Sequence, residues 1–93
     1  MNNPFKPRQV LRYLGAKEGN KAAYVINASK DLNDIDFNIL PPLSILLVLT
    51  TEVCKCKSID YIALECVTPF GNKFILVSEE YIKLFVLLYE PLE

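Results

Sequence analysis

The chain has 93 residues, 52% of them hydrophobic and 23% charged, with a formal net charge of −1 and neither histidine nor tryptophan. That length gives one domain over 1–93, and the apolar content excludes a disordered chain. The near-balanced charge argues against a generic polyanion binder.

In chain order, residues 1–8 read as a flexible N-terminal arm, with no apolar stretch of the secretory-signal kind. Residues 9–14 form the first strand candidate, closed by Gly15. Lys17, Glu18, Gly19 and Asn20 supply turn chemistry. Tyr24, Val25 and Ile26 make a short β-prone run within 22–28, and the polar segment 29–38 reads as a loop with at most one helical turn.

Pro41 and Pro42 interrupt regular structure ahead of Ile45-Leu46-Leu47-Val48-Leu49, a run apolar on both alternating faces. A strand buried on both sides, continuing toward Lys57, fits it better than a helix. A turn is expected at 58–60. Residues 61–67 then alternate, with Ile62, Leu64 and Cys66 facing one way and Tyr61, Ala63, Glu65 and Val67 the other. Thr68-Pro69-Phe70-Gly71-Asn72 is the clearest turn, because proline presets φ and glycine accepts a left-handed conformation. Residues 74–77 return as a strand. Ser78 is a candidate cap for a helical turn over 79–83, whose two glutamates suit the positive end of the dipole. Residues 85–89 read as a last strand stopped by Pro91, although a helix over 79–89 has compatible spacing.

The sum is a mainly β chain of five to six short strands with one short helical turn, closed most economically as a small antiparallel barrel. An opening strand with basic residues, a long irregular loop, the hairpin over 64–76 around Pro69 and Gly71, a helical turn and a terminal strand together resemble the Src-homology-3-like small barrels. Many small phage and mobile-element proteins are similar in outline. An oligonucleotide-binding barrel would share most of these features, and the peptide-binding motifs of true Src-homology-3 domains are not present. The resemblance therefore implies a fold and assigns no functional residue.

The three cysteines, Cys54, Cys56 and Cys66, are odd in number, which points to reduced thiols and a cytoplasmic location. Cys54 and Cys56 share a strand face, and Cys66 is expected opposite them. Three thiols without histidine make a poor zinc set, so packing is the better reading and no metal or cofactor is expected. Asp31, Asp34, Asp36, Asn33 and Asn38 carry oxygen ligands, but Ile39 and Ile45 stand where a calcium loop needs glycine and glutamate. With no histidine to serve as base, no phosphate-binding glycine loop and only Glu52 and Glu65 as a possible carboxylate pair, the chain reads as a non-enzyme. No segment reaches the ~20 apolar residues that a membrane helix needs.

Two functional readings remain. The apolar content exceeds what a small barrel encloses, and exposed apolar patches commonly mark interaction sites. The first reading is thus a non-catalytic protein–protein interaction module, an accessory or inhibitory protein of phage type acting on a larger host protein or by self-association. Phe70, Tyr13 and Tyr61 are its expected contacts. The alternative rests on the basic first third, net +4 over residues 1–21 against −5 for the remainder. Lys6, Arg8, Arg12, Lys17 and Lys21 with Tyr24 and Tyr13 would there form a nucleic-acid-binding strip with aromatic platforms.

Overall fold

A sheet with one fully buried face organises the molecule, and alternation of buried and exposed side chains is clear at the start of β4, where Leu46 and Val48 are buried and Ile45 and Leu47 exposed. The computed structural model describes residues 2–15, 23–26, 38–56 and 58–92. Its strands are β1 (Val10–Tyr13), β2 (Ala23–Ile26), β3 (Asn38–Ile39), β4 (Ile45–Cys56), β5 (Ile59–Thr68), β6 (Gly71–Ser78) and β7 (Phe85–Tyr89), with a 3-10 turn at Glu79–Leu84. Every pairing is antiparallel, and the order across the sheet is β3-β2-β6-β5-β4-β1-β7. The body of the sheet is the five-stranded run from β6 to β7, continued past β6 by the short β2 and β3. In this order β3 and β7 are the two ends of the ladder.

The β4–β5–β6 meander forms because each connection has the backbone it needs. Ser58 takes a positive φ of 66° in the first turn and Gly71 a φ of 98° in the second. Thr68 Oγ1 accepts from the Phe70 N–H at 3.0 Å and donates to the Gly71 carbonyl at 2.8 Å, pinning the hairpin around Pro69. Pairing of β4 with β5 runs from Leu47↔Val67 to Cys56↔Ile59, with one irregularity between Val48 and Thr50. β1 then enters between β4 and β7, placing Leu11 opposite both Leu46 and Leu87.

One face of the sheet is the core. Leu11 and Tyr13, Leu46 and Val48, Ile62, Leu64 and Cys66, Ile75 and Val77, and Phe85 gather there from five strands, joined by Phe5 and Leu40. Tyr81, Ile82 and Leu84 of the 3-10 turn pack against this cluster. Burying side chains of this size stabilises by roughly 1.5–3 kcal/mol each.

Several expectations are corrected by packing. Residues 2–8 are not a free arm: Phe5 is buried edge-on against Phe85 at 5.8 Å, Asn3 Nδ2 donates to Thr51 Oγ1 at 2.9 Å, and the Arg8 N–H donates to the Val48 carbonyl at 2.7 Å. A buried phenylalanine ring outweighs the polar composition around it. The expected last strand over 85–89 is present and the rival helix over 79–89 is not: the 3-10 turn ends at Leu84, and from Tyr13↔Phe85 onward the backbone pairs with β1. Ser78 precedes the 3-10 turn but makes no side-chain cap, and its hydroxyl is buried without a partner. The expected acidic loop lies outside the described residues except for Asn38, which belongs to β3.

Candidate interaction surface

The two-faced apolar run of β4 decides what the outer face of the sheet carries. Leu46 and Val48 point inward and are fully buried, so Ile45 and Leu47 must point outward, where they are 46% and 38% exposed. Register then assembles their neighbours. Ile45 stands opposite Arg12, which stands opposite Val86 on its other side. Leu47 stands between Val10 and Val67. Val67 and Val86 are 38% and 40% exposed, so an aliphatic field covers the outer face from β5 to β7 with one half-buried arginine set in it. The Arg12 Nε–H is buried there with no hydrogen-bond partner.

Farther along the same face, Ala63, Phe74 and Leu76 form a second, smaller buried cluster against Cys54 and Tyr61. Cys54 stands opposite Tyr61, and Cys66 opposite Val48 on the core face. Cys66 is therefore not across from Cys54, and the two thiols lie on opposite sides of the sheet. Burial pushes the Cys66 thiol up to about 12, with the neighbouring Glu65 carboxylate adding to the shift. Among the described residues no three histidine, cysteine, aspartate or glutamate side chains are grouped as a metal site. Glu52 lies opposite Ala63 and Glu65 opposite Thr50, which makes the two carboxylates diagonal neighbours and not a directly facing pair.

The three expected contacts separate. Phe70 projects from the hairpin tip and is 64% exposed. Tyr61 is half-buried in the second cluster, about 24 Å along β5 from Thr68 at strand rise. Tyr13 is a core residue, 1% exposed and 5.1 Å from the Phe85 ring, because position 13 shares the inward parity of Leu11. Of the basic residues, Lys6 and Arg8 come together in a surface depression with Pro7, Glu90 and Pro91. Glu90 meets Lys6 there at 3.8 Å. Arg12 belongs to the outer aliphatic field instead. Lys17 and Lys21 lie outside the described residues, and of Tyr24 only its backbone place in β2 is described.

Sequence reasoning missed Val10 and Val86 as members of this surface, although period-two alternation already turns Val67 away from Cys66. The signal that finds them is register: once β1 is known to sit between β4 and β7, their outward parity follows. Among the described residues no helix is long and apolar enough to cross a membrane. No family model, curated protein or solved structure matches the chain.

Proposed function

We propose that this protein is a non-catalytic interaction module, a small β scaffold of barrel-like, Src-homology-3-like design. It works by presenting the outer face of β5, β4, β1 and β7 to a protein partner. The observation that carries this reading is the aliphatic field of Ile45, Leu47, Val67 and Val86, which a monomer leaves in water. Contiguous apolar surface of this kind is a recurrent mark of protein contact sites. Phe70, at the exposed hairpin tip, extends the surface with an aromatic anchor of the type that dominates binding energy. The carboxylate of Glu90 beside Lys6 and the placement of Arg12 among aliphatic neighbours weigh against the phosphate-binding alternative.

The test is affinity capture from host lysate with nuclease present and at high salt, comparing the wild type with Ile45→Lys and Phe70→Ala. A stoichiometric protein retained by the wild type and lost by Ile45→Lys supports the reading. Equal retention by the variant, or loss of all bound material on nuclease treatment, rejects it, because phosphate contacts are salt-sensitive and apolar ones are not.

A further inference from the structure

We infer that Arg12 is the recognition point of the outer face, and that the protein segment seated there carries a carboxylate flanked by aliphatic side chains. The inference deepens the interaction-module reading and rests on it. Arg12 stands between Ile45 and Val86 across the sheet, with Val10 and the exposed Leu14 two residues away along the chain on the same face. Among the described residues its side chain makes no ion pair and no hydrogen bond. Of its three nitrogens only Nε is both closed off from water and unpartnered, so the two Nη groups reach solvent on the outer face.

No described residue answers this charge. The Glu65 carboxylate shares the outer face by alternation, but it lies two strands away and beyond Val67.

Charge complementarity then names the occupant. A surface that covers Ile45 and Val86 together must also cover the residue between them. Taking a guanidinium out of water without a partner is strongly unfavourable, so a purely apolar cover is rejected and a basic one is repelled. A carboxylate meets the requirement, because its two oxygens can accept in parallel from the two Nη groups, end-on to the fork. The aliphatic ring around that pair excludes water, the setting in which a charged hydrogen bond contributes most. A nucleic-acid phosphate would fit the fork but leave the aliphatic ring unused.

Selection from a random displayed peptide library on the folded protein tests the inference, with the recovered peptides resynthesised for affinity measurement. The wild type is expected to yield peptides in which aspartate or glutamate is flanked by aliphatic residues. Converting that acid to its amide, or Arg12→Met in the protein, should each weaken binding at least about tenfold, and the two losses should not add. Methionine keeps an aliphatic stem, so unliganded Arg12→Met should resist urea as well as the wild type does. Peptides without an acid, binding indifferent to Arg12→Met, or an Arg12→Met that is markedly less stable each overturns the inference. Where such peptides are still lost with Ile45→Lys, the outer-face reading survives and the carboxylate assignment alone has failed. Recovery of no peptide that depends on Ile45 rejects both.

Discussion

Cys66 sits at 0% exposure between Leu64 and Val48 in the core, and its ionisation is displaced upward from 9.0 to about 12 by burial and then by the Glu65 carboxylate. The folded state thus holds the proton that the unfolded chain releases above pH 9. Stability from this group is present in full below about pH 9 and is lost as pH rises from there toward about 12, by on the order of 1 kcal/mol per pH unit. Urea denaturation at pH of about 8 and about 10 should show the decline in the wild type and a flatter dependence in Cys66→Ala. An equal slope in both would assign the effect to other groups. In native labelling, Cys66 should resist alkylation until the chain unfolds, since the thiolate is the reactive species.

At the scale of elements, two glycines with the same kind of backbone separate two kinds of cost. Gly71 has φ 98° with nothing within 4 Å of where a Cβ would stand, so Gly71→Ala meets only the left-handed penalty of about 1–2 kcal/mol. Gly15 has φ 91°, and a Cβ there would stand 2.8 Å from Pro42 Cβ, so Gly15→Ala adds a clash with a rigid ring and should cost clearly more. Thermal or urea unfolding of the two variants decides it, and equal losses would contradict the distinction.

Those glycines also mark what the sequence makes legible. The hairpin at Pro69–Gly71, the alternating strand β5, the apolar strand β4 and the end of β7 are all readable, because local turn chemistry and period-two patterning specify them. Cross-strand partners are not readable. Nothing local to Val10 or Arg12 says that β1 lies between β4 and β7, and without that register Tyr13 looks like a surface aromatic and Cys66 like a neighbour of Cys54. The buried Phe5 escapes for the same reason: its stabilisation comes from Phe85, which is eighty positions away in the chain.

For the whole molecule, the strand order sets a folding problem that the chain order does not. β4, β5 and β6 pair as consecutive hairpins, whereas Leu11 must find both Leu46 and Leu87. Topologies dominated by such distant pairings fold in milliseconds to seconds. The meander is expected to form first and β1 to dock late. Both Leu64→Ala and Leu11→Ala should destabilise by about 2–5 kcal/mol, since both side chains are buried. Leu64→Ala should act mainly by slowing folding, and Leu11→Ala mainly by speeding unfolding. Stopped-flow measurements showing the reverse partition would place β1 in the nucleus.

The β1–β7 ladder has a mechanical consequence. Val10 faces Tyr89 at one end and Tyr13 faces Phe85 at the other, and the Lys6–Glu90 ion pair spans the gap just beyond the Val10 end. Tension applied through residues 6 and 90 would therefore pull both strands from the same end of their ladder. The load falls on one rung at a time, as in opening a zipper, and is never shared in shear along the strands. A tether fixed at these points should part at low force, releasing β7 while the β4–β5–β6 meander still stands.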